Sequence, residues 1–238
     1  MAFTASLVAL LALLGTLAGL GLAPVPAVVG LACGIGLCVA VHRGLGAAGS
    51  AALGPADVVT MTRAILACAL AALVVDTSLG EPAASVVVPL AVVALTLDAV
   101  DGRVARVTGT GSDFGSRFDG EADAFLLLVL SVHVAPSFGW WVLAIGGARY
   151  AFGLAGWAWP WLRVRLPFRY WRKVVTAAQG IALVVAAAGV LPPTATYVVL
   201  ITAIALLAES FGRDVLWAWH RHHAAATRSI RAAELRLR

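Results

Sequence analysis

The first 42 residues of this 238-residue chain contain no Asp, Glu, Lys or Arg. A helix needs about 20 mostly apolar residues to cross the hydrocarbon core of a bilayer. A turn with two prolines at 23–26 divides the uncharged stretch into two segments of that length, at about 3–22 and 25–42. Both segments are therefore predicted to be transmembrane helices.

Six further apolar segments follow, at about 57–76, 83–105, 116–135, 138–158, 173–191 and 194–217. Only 12% of the chain is Asp, Glu, Lys or Arg, whereas soluble domains carry roughly 25%. So little charge excludes a soluble globular enzyme and a disordered chain. The sequence predicts an all-α integral membrane protein with about eight transmembrane helices.

The basic residues predict the orientation of these helices. With the amino terminus in the cytoplasm, the outer connections near 23–25, 76–82, 136–138 and 190–194 contain Asp76 and Glu81 but no Lys or Arg. All seventeen Lys and Arg residues then lie on the cytoplasmic side, as the positive-inside rule requires. Both termini are predicted to be cytoplasmic, and the net charge of +5 indicates orientation and no nucleic-acid partner.

The connecting segments complete the predicted organisation. Residues 43–56 are rich in Gly and Ala and are predicted to be a linker. Residues 218–238 form a basic cytoplasmic tail, which is expected to lie on an anionic lipid surface.

Acidic residues crowd into one part of the chain. Six of the twelve lie between Asp98 and Asp123. Asp98 and Asp101 are spaced i, i+3, and Asp119 and Asp123 are spaced i, i+4, so each pair lies on one face of its helix. A short connection makes these helices antiparallel neighbours, and the four carboxylates are expected to converge. The alternative interpretation is a solvated cytoplasmic loop with ordinary charges at helix ends.

Converging carboxylates need cations, and ligand sets made only of oxygen favour Mg²⁺ or Mn²⁺. Two such ions can clamp a diphosphate during in-line displacement. Gly102 allows a ligand to approach the helix backbone, and Arg106 offers a planar guanidinium to phosphate oxygens. This combination predicts phosphoryl or phosphatidyl transfer. The alternative from another class is a divalent-cation transporter or channel.

The full pattern of the acidic region is D98-x2-D101-G102-x2-A105-R106-x8-G115-x3-D119-x3-D123. It resembles the signature of the CDP-alcohol phosphotransferase family. The resemblance implies a six-helix core over 57–217, with 1–42 as two additional helices. It also implies a homodimer whose polar cavity opens to the cytoplasm.

The resemblance also implies roles for individual residues. Two divalent metal ions would be bound by Asp98, Asp101 and Asp119, and Asp123 would act as the base with a further metal contact. The nucleotide site would include Gly102, Ala105, Arg106 and Gly115.

Two other segments resemble parts of the same family. The segment 56–63, A-D-V-V-T-M-T-R, is similar to the first core helix, which makes Asp57 and Thr60 candidate cytidine contacts. The alternative is that both residues cap the helix. The segment 172–179, R-K-V-V-T-A-A-Q, resembles phosphatidylglycerophosphate synthase-like members weakly. Among the basic residues on the cytoplasmic side, Lys173 and Arg213 are the candidate acceptor-binding residues.

Taken as a resemblance, these motifs imply an enzyme of phospholipid synthesis in a bacterial cytoplasmic membrane. It would transfer a phosphatidyl group from a CDP-alcohol, with CDP-diacylglycerol favoured, to an acceptor hydroxyl and release CMP. The alternative within the class is transfer from a soluble CDP-alcohol to a lipid or polyol-phosphate acceptor. The motifs do not name the acceptor.

Overall fold

A computed structural model describes residues 2–48, 54–80, 84–108, 112–163 and 170–236. Side chains are described in these ranges except at 2–4, 47–48, 84–85, 99, 101–108, 113, 160, 163 and 224–236. The described ranges form eight α-helices: α1 (Ala2–Gly19), α2 (Pro24–Ala48), α3 (Pro55–Ser78), α4 (Ala84–Thr108), α5 (Asp113–Phe138), α6 (Leu143–Ala158), α7 (Tyr170–Ala188) and α8 (Pro193–Arg236). Short 3-10 segments precede and follow α6, at Trp140–Val142 and Pro160–Arg163. The predicted all-α class is confirmed.

Five helical segments are long and apolar enough to cross a membrane, namely Pro24–Gly46, Pro55–Ser78, Phe114–Phe138, Tyr170–Ala188 and Pro193–His223. Two shorter apolar segments, Ala5–Gly19 and Val86–Asp98, lie in α1 and α4. The apolar part of α4 ends at Asp98, where the acidic region begins. These lengths and compositions define a multi-pass membrane protein.

Two helices extend beyond the boundaries that the sequence predicted. Helix α2 runs through Ala48, well into the segment 43–56 predicted as a linker, and α3 begins at Pro55. Proline fits the first turn of a helix because its missing N–H has no partner there. Helix α8 continues past 217 to Arg236, because 218–236 contains no Gly or Pro and is rich in strong helix formers such as Ala and Arg.

The two additional helices belong to the same hydrophobic core as α3. Leu10, Leu14 and Leu17 of α1 pack in one buried cluster with 67–74 of α3. At Gly30 of α2, an added Cβ would lie 2.9 Å from the Cβ of Ala72. Glycine at that position therefore lets α2 approach α3 closely.

Asp76 connects the turn between α1 and α2 to the carboxyl-terminal end of α3. It lies in the last turn of α3 and is fully buried. Its Oδ1 accepts a hydrogen bond of 3.1 Å from the backbone N–H of Ala23. The carboxylate that the sequence placed in an outer connection thus joins the additional helices to the core.

Helices α5 and α6 cross at very short range. The buried hydroxyl of Ser131 donates to the carbonyl of Leu127 at 2.7 Å and accepts from the N–H of Gly146 at 3.1 Å. A Cβ added at Gly146 would overlap the backbone of Leu128. Gly146 therefore sets the distance between the two helices, one turn beyond the acidic region of α5.

We expect Gly146→Ala to destabilise the protein, because the added methyl group forces α5 and α6 apart. Overpacking of this kind costs about 1–3 kcal/mol. The control is Gly147→Ala on the same helix, where an added Cβ meets nothing within 4 Å. That change is expected to be neutral or stabilising by about 0.5–1 kcal/mol. Thermal unfolding in detergent measures both, and equal unfolding temperatures for the two variants would contradict this view of the crossing.

Candidate active site

The carboxylates of α4 and α5 converge on the guanidinium of Arg63 in α3. Its Nη1 lies 2.5 Å from Oδ1 of Asp98. Its Nη2 lies 2.6 Å from Oδ1 of Asp119 and 3.1 Å from Oδ1 of Asp123, and it also donates to the Asp119 carbonyl at 3.2 Å. Arg63 is 0% exposed. One buried cation thus pairs with three carboxylates from two other helices.

Arg63 ends the 56–63 segment quoted above, and its position in the sequence is itself a signal of an ion pair. Arg63 is the only Asp, Glu, Lys or Arg residue between Asp57 and Asp76, in the middle of an apolar helix. A charge at such a position requires a counter-charge from a neighbouring helix. Sequence spacing alone gives no indication of which helix supplies that counter-charge.

The three carboxylates also fit a site for divalent metal ions. One oxygen from each of Asp98, Asp119 and Asp123 lies within 4.8 Å of the other two, and all three residues are half-buried. An oxygen-only donor set of this charge suits Mg²⁺ or Mn²⁺. The convergence predicted for these three residues is present in the structure.

The remaining predicted residues of α4 lie outside the described side chains. Asp101, Gly102, Ala105 and Arg106 fall in a part of α4 for which the backbone is described as helical through Thr108. Asp98 and Asp101 therefore share one continuous helix. The roles of these four residues stay predictions.

Asp57 and Thr60 are both buried at the start of α3. Oδ2 of Asp57 accepts a hydrogen bond of 2.9 Å from the backbone N–H of Gly54, and the Thr60 hydroxyl donates to the carbonyl of Ala56 at 3.2 Å. In this structure Asp57 caps the helix, which is the alternative that the sequence left open. A cytidine contact by either residue stays a prediction.

Gly115 packs against this cap. A Cβ added at Gly115 would overlap Oδ1 of Asp57. The absence of a side chain lets the first turn of α5 lie directly on the first turn of α3. The local role of Gly115 is thus to bring Asp119 and Asp123, one and two turns further along α5, toward Arg63.

A cavity of about 260 Å³ lies beside Asp123, between α5, α6, α7 and α8. Its polar and charged lining residues are Asp123, Arg149, Arg172, Thr176, Gln179, Ser210 and Asp214. Asp123 therefore belongs both to the carboxylate cluster and to the wall of this cavity. Gln179 is the last residue of the 172–179 segment quoted above, whereas no sequence motif had pointed to Ser210 and Asp214 as site residues.

The two candidate acceptor residues do not line this cavity, and their role in acceptor binding stays a prediction. Neither Lys173 nor Arg213 is among the described residues that line the cavity beside Asp123. Both are exposed, and Arg213 forms an ion pair with Glu209, one helical turn before it on α8. Helix-end position and charge had suggested them, but the side chains of α7 and α8 that face the cavity are those of other residues.

A larger cavity of about 780 Å³ lies on the other face of α5. It is lined mainly by apolar side chains of α2, α3 and α5, including Leu37, Val41, Phe118 and Phe125. Its lining does not include the carboxylates that contact Arg63. The cluster and the smaller cavity therefore form the polar site, and the larger cavity is separate from it.

Comparison with known proteins shows the family of the chain. Residues 53–209 match the model of the CDP-alcohol phosphatidyltransferase family, and the chain belongs to this family. The chain is also similar to CDP-diacylglycerol--serine O-phosphatidyltransferase of Helicobacter pylori, with 45% identity over 69 residues. That similarity covers 29% of this chain and 25% of the relative, so the chain spans about a quarter of the length of the curated relative it matches. No solved structure matches the chain.

We expect Arg63→Leu to destabilise the metal-free protein by about 3–5 kcal/mol, the cost of removing one partner from a buried ion pair. Three half-buried carboxylates would then repel one another without a compensating cation. Added Mg²⁺ should restore much of the loss, because it neutralises the same carboxylates. Thermal unfolding in detergent, with chelator and with Mg²⁺, measures both effects.

Two further variants complete that experiment. Arg63→Lys keeps the charge and should lie between the wild type and Arg63→Leu. Arg213→Gln removes an exposed arginine from a surface ion pair, so it should cost about 1 kcal/mol or less in either condition. Unfolding of Arg63→Leu at the wild-type temperature in chelator would show that Arg63 does not stabilise the cluster.

Proposed function

We propose that this protein is a metal-dependent enzyme that transfers a phosphatidyl group from CDP-diacylglycerol to an acceptor hydroxyl and releases CMP. The observation that supports this proposal most is the convergence of Asp98, Asp119 and Asp123 beside a cavity, in a chain that belongs to the CDP-alcohol phosphatidyltransferase family. The donor is proposed because the site is built on long apolar helices, and from the name of the similar H. pylori enzyme.

Asp98, Asp101, Asp119 and Asp123 would hold two divalent ions, which when bound supply positive charge to the diphosphate of the donor. Asp123 faces the cavity and accepts the proton of the acceptor hydroxyl at a carboxylate oxygen. The hydroxyl oxygen then forms a bond to the phosphorus of the phosphatidyl group. The bond from that phosphorus to the bridging oxygen breaks, and CMP leaves with this oxygen.

Arg63 acts in this scheme as a positioning residue. Its two terminal nitrogens hold Asp119 and Asp123 of α5 next to Asp98 of α4. The cluster is therefore held together before any ligand binds, which reduces the reorganisation needed at the moment of reaction. For the nucleotide we propose Gly102, Ala105, Arg106 and Gly115, with Asp57 and Thr60 at its base end.

The proposed location is a bacterial cytoplasmic membrane, with both termini and the active site on the cytoplasmic side. The distribution of Lys and Arg among the connections supports this orientation. We also propose a homodimer, as is usual in the family. An assay of CMP release with CDP-diacylglycerol or a soluble CDP-alcohol, with products identified by mass, tests the donor directly.

We expect Asp98→Asn, Asp101→Asn and Asp119→Asn each to abolish metal-dependent CMP release, because each removes a charged oxygen ligand. Each variant should still insert into the membrane and elute as a monodisperse species in detergent. Glu209→Gln is the matched control, since Glu209 is a carboxylate of α8 that pairs with Arg213 outside the cluster. Near-normal CMP release by any of the three variants at low Mg²⁺ would exclude that residue as a ligand.

We expect Asp123→Asn to lower turnover by roughly 10²–10⁴-fold, the usual effect of removing a general base. Binding of the donor should decrease much less, provided that proton transfer is the main role of Asp123. Turnover and Mg²⁺-dependent binding of labelled CDP are measured on the same preparation. A parallel collapse of both quantities would assign Asp123 to the metal ligands alone.

A further inference from the structure

The cavity beside Asp123 is lined by polar side chains at helical spacing on two further helices. Arg172, Thr176 and Gln179 follow one another along one face of α7, and Ser210 and Asp214 are spaced i, i+4 on α8. Gln179, Ser210 and Asp214 are all buried. Polar residues at this density within apolar helices mark a binding site.

Gln179 provides an independent indication of a ligand. Its side chain is only 3% exposed, and its Nε2 has no hydrogen-bond partner in the described structure. A buried amide donor without a partner costs about 1–3 kcal/mol. A ligand oxygen placed in the cavity would accept this hydrogen bond and remove the cost.

The charges of the cavity restrict what that ligand can be. Both arginines of the lining have carboxylate partners: Arg172 lies 3.6 Å from Asp214, and Arg149 lies 2.7 Å from Glu121. The carboxylates of Asp123 and Asp214 also face the same small space. Among the described lining residues the two arginines are thus balanced by carboxylates, and no positive charge is in excess. A phosphate monoester carries about −1.5 to −2 charges near neutral pH and would enter this space without a cation to neutralise it.

We propose that this cavity binds the acceptor and selects a small alcohol of no net charge, either a polyol or a zwitterionic amino alcohol, over a phosphate monoester. This inference rests on the proposed function and names the substrate class of the same site. One hydroxyl of the acceptor lies against Asp123. A second oxygen accepts from Gln179, and the other polar groups of the acceptor contact Ser210 and the Arg172–Asp214 pair.

The test measures acceptor binding without any donor. Equilibrium dialysis of the 238-residue protein in detergent is carried out with labelled myo-inositol, L-serine and sn-glycerol 3-phosphate as probes. We expect inositol or serine to bind at least about tenfold more tightly than glycerol 3-phosphate. Tighter binding of glycerol 3-phosphate, or no binding of any of the three probes, would overturn the inference.

Variants link the preference to the named side chains. Asp214→Asn removes one negative charge and leaves Arg172 available to a phosphate, so binding of glycerol 3-phosphate should strengthen by about tenfold. Gln179→Leu should weaken binding of inositol and serine by a similar factor. Glu209→Gln, which changes a paired carboxylate of α8 outside the cavity, should leave all three affinities unchanged. An unchanged preference in Asp214→Asn would contradict the charge argument.

A parallel measurement of CMP release from CDP-diacylglycerol separates this inference from the proposed function. Release supported by glycerol 3-phosphate, and by neither inositol nor serine, would uphold phosphatidyl transfer and refute the acceptor class. Binding of inositol or serine without CMP release would uphold the cavity assignment and contradict the proposed reaction.

Discussion

The arrangement of the polar site depends on the ion pairs between Arg63 and three carboxylates. A guanidinium without any exposed surface is unstable in an apolar core unless anions surround it, and clustered carboxylates are equally unstable without a cation. The ion pairs therefore offset both the cost of burying the guanidinium and the repulsion among the carboxylates. Arg63 lies on α3, Asp98 on α4 and the other two aspartates on α5. The ion pairs therefore hold these three helices together at the position of Arg63.

The two additional amino-terminal helices contribute to this arrangement from the opposite side of α3. Helices α1 and α2 cover its apolar surface, and Gly30 allows close approach at Ala72. The bond from Ala23 to Asp76 fastens their connection to the end of α3 that is farther from Arg63. The part of α3 that these helices and its other neighbours cover can keep a charged residue buried, whereas a helix face in contact with lipid cannot.

Helix α5 connects the two parts of the candidate site. Asp119 and Asp123 turn toward Arg63, and Gly120, Asp123 and Ala124 line the cavity that α7 and α8 complete. Asp119 and Asp123 share one face of α5 because an α-helix repeats about every 3.6 residues. Asp123 belongs to both sites because it contacts Arg63 and also lines the cavity next to Gly120 and Ala124. The close crossing at Gly146 holds α6 against the same part of α5 and closes that wall of the cavity.

The sequence by itself determined the membrane class, the approximate helices and the convergence of acidic residues on two consecutive helices. Helix length, the lack of charged residues and i, i+3 or i, i+4 spacing are properties of single helices, so the sequence is enough to predict their consequences.

Only the tertiary structure brought Arg63 to Asp98, placed Gly115 on the cap formed by Asp57, and assembled Gln179, Ser210 and Asp214 into one cavity. Those contacts join helices far apart in the chain. They depend on how the helices pack, and periodicity within one helix does not specify that packing. For the same reason charge and helix-end position suggested Lys173 and Arg213, whereas packing turned other residues of α7 and α8 toward the cavity beside Asp123.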